Sequence, residues 1–109
     1  MKYFVYSLKI NEDRVYIGST NNIKRRLSEH NRLFKRGDDK YLYNEIRKLY
    51  GNDIIFEIDI LKEFESKLDG ARYEAFLILY KYFNGMKLYQ SVPVAFKYFD
   101  NIKYKKRKK

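Results

Sequence analysis

A glutamate in the second half of the chain stands among apolar residues, where an unpaired carboxylate is unfavourable. The spacing predicts a helix over 66–83 with an apolar stripe of Leu68, Ala71, Ala75, Ile78, Leu79 and Tyr82. Glu74 falls on that stripe, and the residues three and four positions from it are not basic. Its partner is therefore a metal ion or a cation from another element. The alternative is an edge glutamate that reaches solvent.

An arginine and the single histidine of the chain could act together with this carboxylate, by binding phosphate and by transferring protons. Arg26 and His30 lie four residues apart on one helix face, beside the core residue Leu27, which predicts that both lie at the rim of the core. Arginine binds phosphate through paired hydrogen bonds, and histidine transfers protons near neutral pH. An ordinary amphipathic helix surface is the alternative. The neighbouring basic residues predict a solvated face that contacts the DNA backbone: Lys24, Arg25 and Arg32.

Two tyrosines on neighbouring predicted strands are candidates for a general base. Tyr6 and Tyr16 each lie in the middle of a short apolar run. A phenol can take up a proton only if positive neighbours lower its pKa from about 10. Arg26 and a divalent cation would supply that field. A cross-strand aromatic pair that stabilises a hairpin explains the same residues equally well.

The elements that carry these side chains follow from periodicity and turn signals. Alternating residues over 3–10, the turn "NED" and "RVYIG" predict a β-hairpin over 3–18. The capping cluster "STNN" predicts a helix that begins near 20–22 and ends near 34. The last clear strand alternates, with four residues predicted to face inward: Ile54, Phe56, Ile58 and Ile60.

A second helix over 40–50 completes the predicted order ββααβα. Its predicted buried stripe is Leu42, Ile46 and Leu49. Pro93 excludes a central strand position near the end of the chain. The expected fold is an α/β structure in which helices flank a small antiparallel or mixed three-stranded sheet.

Charge favours a polyanionic partner, with nucleic acid ahead of a membrane surface, a localisation signal or a merely solubilising tail, but does not by itself name the function. The chain has 109 residues and a net charge of +10, and six of these positive charges lie in 103–109. We expect one domain over 1–95 and a basic tail over 96–109. The absence of cysteine excludes disulfides and thiolate sites. No apolar run is long enough to span a bilayer, so the expected location is intracellular, either cytoplasmic or nuclear. The high Lys, Asn, Ile and Tyr content is typical of an AT-rich genome, viral or bacterial.

The same residues resemble the GIY-YIG nuclease family over about 3–92. The first motif reads Phe4-Val5-Tyr6 and keeps only the tyrosine, whereas the second, Tyr16-Ile17-Gly18, is complete. Arg26 and His30 stand at the spacing of the family's arginine and frequent histidine, and Glu74 begins "EAFLI", similar to the family's later glutamate motif. Gln90 replaces the usual asparagine, and a second histidine of some homing members, expected near Asp39, is missing.

The resemblance implies a DNA endonuclease that uses one divalent cation, Mg²⁺ or Mn²⁺. Glu74 would hold the cation and Arg26 would stabilise the phosphate. Tyr16 or Tyr6 would take the proton from the attacking water, with His30 as a relay or phosphate ligand. Gln90 would contact DNA. A catalytically inactive nucleic-acid-binding module is the alternative. DNA specificity and oligomeric state stay open, and a protein partner that recruits the chain to DNA is one way to supply specificity.

Overall fold

Three strands and three helices follow one another in the order that the sequence predicts. The structure is a computed structural model that describes residues 2–90. The elements are β1 (Tyr3–Ile10), β2 (Asp13–Thr20), α1 (Ile23–Arg36), α2 (Tyr41–Tyr50), β3 (Glu57–Phe64) and α3 (Lys67–Phe83). The predicted order ββααβα is therefore confirmed. The proposed boundary at 95/96, the basic tail and Pro93 lie outside the described residues.

The sheet is antiparallel throughout, with β1 in the centre and β2 and β3 at its edges. Asn11, at φ 56°, lies in the turn that joins β1 to β2. Val5, Tyr6, Ser7 and Leu8 are all fully buried, so both faces of β1 are covered. A central strand covered on both faces divides the interior into two clusters.

Each cluster belongs to one face of the sheet. On the face covered by α1 and α2, aromatic and aliphatic side chains surround Tyr6; they include Leu8, Phe34, Tyr43, Ile46 and Phe56. On the face covered by α3, Val5 and Ile17 pack against Ile78 and Leu79. Sequence alternation along β1 thus sends Tyr6 to one helix layer and Val5 to the other.

The helix caps agree with the predicted start signals. The Asn22 side chain accepts a hydrogen bond from the backbone N–H of Arg25, which starts α1 in the predicted place. Ser66 caps α3 in the same way through the N–H of Asp69. These caps fix where Arg26 and Glu74 stand along their helices.

Three predicted apolar stripes need correction. Leu49 is exposed because α2 turns Tyr43 inward instead. In α3, Leu68, Ala71 and Tyr82 are exposed, so the predicted stripe is buried only at Ile78 and Leu79. Ile60 is 55% exposed, although its alternation predicts that it faces inward. The register slips at this point, since Tyr6 pairs with Ile60 and Val5 with Lys62. Ile60 keeps the register of Ile58 and is exposed on an edge strand, while Leu61, the extra residue of the bulge, packs in the α3 cluster.

Candidate functional site

Glu74 lies on the inner side of α3, against β2. Its Oε1 accepts a hydrogen bond of 2.7 Å from the Ser19 hydroxyl. Burial raises the pKa of the Glu74 carboxyl, while the Ser19 hydrogen bond and the charge of Arg26 act in the opposite direction. The half-buried carboxylate of the sequence prediction is thus confirmed, and its hydrogen-bond partner is a hydroxyl group that carries no charge.

Arg26 lies at the rim of the core, as its position beside Leu27 predicts. Its side chain is 33% exposed, and Nε lies 3.5 Å from Oε1 of Glu29, one turn along α1. The positive charge of Arg26 lowers the pKa values of Tyr6, Tyr16, His30 and Glu74. The charge of Arg26 therefore acts on groups from both halves of the chain.

Tyr6 and Tyr16 lie side by side on the face that carries α1 and α2. Their ring centroids are 6.4 Å apart, and Tyr6 is fully buried whereas Tyr16 is half-buried. Burial is the main cause that raises the pKa of each phenol, and the lowering effect of Arg26 is smaller. The side chains and backbone alone therefore keep both tyrosines protonated at neutral pH.

Gly18 makes the close packing of these two rings possible. It pairs with Tyr6 across the hairpin. A Cβ atom at this position would lie 2.6 Å from the Tyr6 hydroxyl oxygen and 2.9 Å from Cε1 of Tyr16. The Tyr6 hydroxyl therefore packs directly against Gly18, the glycine of the second motif.

His30 lies in the core, which corrects the prediction of a rim position. It is only 2% exposed, because it lies one turn before the buried Phe34 on α1. Its Nε2 lies 3.0 Å from the Tyr6 hydroxyl, and its Nδ1 lies 2.9 Å from the Tyr43 hydroxyl. Burial, Lys40 and Arg26 lower the pKa of His30 to about 4, so the imidazole is neutral at pH 7.

The comparison with protein families agrees with this arrangement. The model of the GIY-YIG catalytic domain matches residues 2–87. The chain belongs to the GIY-YIG family. No curated protein matches the chain, and neither does any solved structure. Membership of the GIY-YIG family implies nuclease activity in general and DNA as the substrate. No helix within residues 2–90 has the length and apolar character to cross a membrane.

GIY-YIG nucleases generally use divalent metal ions, and the donor set here suits such an ion only if water and substrate supply most ligands. Across residues 2–90, no three histidine or carboxylate side chains gather into a metal-binding group. Mg²⁺, however, keeps several waters and binds through one or two carboxylates together with substrate phosphates. Glu74 supplies one carboxylate oxygen as a hard donor. Burial raises the pKa of this carboxyl more than Arg26 and Ser19 lower it, so its ionised form lacks a full compensating charge. The residues therefore fit a cation held by a single carboxylate.

Ser19, Tyr43 and Lys40 lie at the GIY-YIG site, and none of them was predicted from the sequence as a site residue. Tyr43 was overlooked because Leu42 and Ile46 alone explain the apolar stripe of α2. Lys40 precedes this helix, and its ammonium lies 5.7 Å from the ring centroid of Tyr16 and 5.9 Å from that of Tyr43. Its position close to Asp39, where some GIY-YIG members carry a second histidine, was the available signal.

The predicted DNA-contacting residues of α1 are exposed, but they do not converge on the site. Lys24, Arg25 and Arg32 are all exposed. Arg32 stands two residues after the buried His30, which places it on the opposite side of the helix. These side chains form an outer basic surface, separate from Arg26.

Gln90 has a structural task in this GIY-YIG domain. Its Oε1 accepts a hydrogen bond of 2.8 Å from the N–H of Ile17, and its Nε2 donates one of 2.9 Å to the carbonyl of the same residue. The N–H of Tyr89 donates to the carbonyl of Val15. The segment after α3 thus covers the exposed edge of β2, next to the second motif.

Replacing Gln90 by alanine should destabilise the fold by about 1–2 kcal/mol, the value of two lost hydrogen bonds. Urea unfolding measures the change. Gln90→Glu is the matched variant, because it keeps an acceptor for the Ile17 N–H but places a negative oxygen beside the Ile17 carbonyl. If Gln90 instead acts mainly on DNA, Gln90→Ala will weaken DNA binding and leave unfolding unchanged.

Proposed function

We propose that this chain is a DNA endonuclease that hydrolyses phosphodiester bonds with the aid of one divalent cation, Mg²⁺ or Mn²⁺. The main support is the arrangement around the second motif, where the Glu74 carboxylate accepts a hydrogen bond from Ser19, next to Gly18, and the rings of Tyr6 and Tyr16 pack on Gly18. The charge of Arg26 acts on all three ionisable groups. An acid, an arginine and phenols are groups that can support phosphodiester hydrolysis.

Arg26 is the group that would bind the scissile phosphate. Its guanidinium is partly exposed at the rim and is held by the carboxylate of Glu29 at 3.5 Å. Negative charge builds up on the phosphate oxygens as water attacks, and a fixed guanidinium stabilises that charge. The contact with Glu29 orients the side chain before DNA arrives.

Glu74 is the residue that would hold the cation. When bound, the ion supplies positive charge that neutralises the phosphate and the leaving oxygen. Ser19 holds one oxygen of Glu74 by a hydrogen bond, which fixes the carboxylate against β2. The raised pKa of this carboxyl means that a positive partner favours its ionised form.

Tyr6 or Tyr16 would accept the proton of the attacking water. Both phenols have raised pKa values, so the site needs added positive charge before either can act as a base. His30 contacts Tyr6 directly and stays neutral, which suits a relay better than a phosphate ligand because its ring is buried.

The outer surface of α1 would bind the DNA backbone away from the cleavage point. Lys24, Arg25 and Arg32 supply its positive charges, and Lys40 adds one beside the tyrosines. Such contacts give affinity without sequence information. A recruiting protein partner would then supply the choice of DNA site. A DNA substrate is consistent with the intracellular location expected from the sequence. We propose that Gln90 acts on β2 and not on DNA.

A plasmid-nicking assay tests the proposed function directly. The purified chain is incubated with supercoiled plasmid in Mg²⁺, in Mn²⁺ and in EDTA. We expect nicked product with either metal and none in EDTA. Plasmid binding without cleavage in both metals would instead support the inactive nucleic-acid-binding module, which the altered first motif and the raised tyrosine pKa values favour.

Replacing Arg26 by alanine should reduce cleavage by about 10²- to 10³-fold, the loss typical of one group that stabilises transition-state charge. Single-turnover rates at saturating DNA measure this effect apart from binding. Arg36→Ala is the matched control, since Arg36 lies at the exposed end of the same helix and pairs with Asp38 at 3.5 Å. Equal rates for the two variants would remove Arg26 from the mechanism.

A further inference from the structure

The hydrogen bonds of His30 determine what the only histidine of the chain can do. Both ring nitrogens have phenol partners, Tyr6 at Nε2 and Tyr43 at Nδ1. A neutral imidazole carries one N–H and one lone pair, so it donates at one end and accepts at the other. The two phenols are therefore coupled, because the tautomer that accepts from one must donate to the other.

The surroundings of the two hydroxyl groups decide the direction of this chain of hydrogen bonds. Tyr43 is 1% exposed, and aromatic rings pack around it: Phe34, Phe56 and His30. Its hydroxyl hydrogen needs an acceptor, and Nδ1 lies within hydrogen-bond distance. Tyr6 packs beside Tyr16, which is only half-buried, and the charges of Arg26 and Glu74 act on its phenol, so the Tyr6 hydroxyl lies on the polar side of the histidine.

We propose that Tyr43 is a positioning residue whose hydroxyl donates to Nδ1 of His30 and so holds the imidazole in the tautomer that carries hydrogen on Nε2. The Nε2–H group then donates to the oxygen of Tyr6. The tautomer is argued from the two hydrogen bonds of His30 and the packing around the phenols, whereas its effect on cleavage rests on the proposed nuclease function.

This direction has a consequence for the chemistry at Tyr6. An N–H group that points at a phenol oxygen stabilises the phenolate, since a hydrogen bond to the charged form favours that form. It also leaves the Tyr6 hydrogen free to point away from the imidazole. The opposite tautomer would make Tyr6 donate its hydrogen to the imidazole. Tyr43 thus acts on Tyr6 through His30, without touching DNA itself.

Nitrogen NMR of histidine-labelled protein tests the tautomer without any need for activity. The chain contains one histidine, so the two imidazole nitrogen signals belong to His30. At pH 7 we expect a protonated Nε2 and an unprotonated Nδ1 that accepts a hydrogen bond. A protonated Nδ1 in the wild-type protein would overturn the proposal.

The Tyr43→Phe variant tests the cause of the tautomer. We expect its imidazole signals to change, by a switch of tautomer or by a mixture of both. We expect its cleavage rate to fall about 10- to 100-fold, by analogy with the loss of the partner that orients a metal-bound histidine. Tyr41→Phe is the matched control, because Tyr41 is 58% exposed on the same helix and should leave both readouts unchanged. Unchanged signals in Tyr43→Phe would also overturn the proposal. If wild-type protein cleaves no DNA, the nuclease proposal fails while the tautomer prediction is still decided by NMR.

Discussion

Replacing Glu74 by glutamine should reduce metal-dependent cleavage by at least about 10²-fold, the scale of a lost charge-stabilising group. Glutamine has nearly the same shape and still accepts the hydrogen bond that Ser19 donates at 2.7 Å. The change therefore removes the negative charge and leaves the packing of α3 against β2 in place. Single-turnover cleavage in Mg²⁺ measures the effect.

The same substitution should leave the metal-free fold as stable as wild type or more stable. Burial raises the pKa of Glu74 above its ordinary value of 4.5, so the folded state holds this proton more tightly than the unfolded chain does. The resulting stabilisation is present below pH 4.5 and is lost as pH rises through the folded pKa. At neutral pH the ionised carboxylate opposes folding, and glutamine removes that penalty.

Thermal unfolding in EDTA across pH 4 to 8 measures this second effect. We expect the advantage of Glu74→Gln over wild type to grow as pH rises. Added Mg²⁺ should raise the melting temperature of wild type more than that of the variant, because a ligand stabilises the state that binds it. Glu63→Gln is the control, since Glu63 forms an exposed ion pair with Lys2. A Glu74→Gln variant that cleaves DNA at nearly the wild-type rate would exclude the metal role of this carboxylate.

Replacing Gly18 by alanine should destabilise the protein by about 1–3 kcal/mol and impair cleavage as well, because the new methyl group overpacks the core. The Cβ would lie 2.6 Å from the hydroxyl oxygen of Tyr6 and 2.7 Å from its Cζ. The Tyr6 ring must move, and its hydrogen bond to His30 at 3.0 Å would lengthen. Gly18 lies in β2 outside the left-handed region, so the cause is steric and not conformational.

Gly70→Ala provides a matched control for this steric explanation. A Cβ at Gly70 would meet its nearest atom, Cβ of Tyr3, at 3.6 Å, which is an ordinary contact. Because alanine is the better helix former, this change within α3 should stabilise the protein by up to about 1 kcal/mol. Urea unfolding of the two variants should therefore shift in opposite directions. If Gly18→Ala unfolds at the wild-type urea concentration, the close packing of Tyr6 on Gly18 is wrong.

Local pattern determined the elements and the identity of most candidate residues. Strand alternation, the caps at Asn22 and Ser66 and the helix periods are properties of short stretches, so the order ββααβα was correct from the sequence. The same logic placed Glu74 on the inner face of its helix and Arg26 at the rim. Motif spacing identified the family, since residues 2–87 match the GIY-YIG catalytic domain.

Tertiary packing decided which side chains became buried and what they bond. His30 entered the core and Tyr43 became its partner because α1 and α2 close together over Tyr6. Ile60 is exposed on an edge strand, although it pairs with the buried Tyr6. Periodicity describes the faces of one element, whereas burial and hydrogen bonding depend on the neighbour that covers each face. For this reason the sequence determined which groups this protein carries, and only the folded structure decided how His30 connects them.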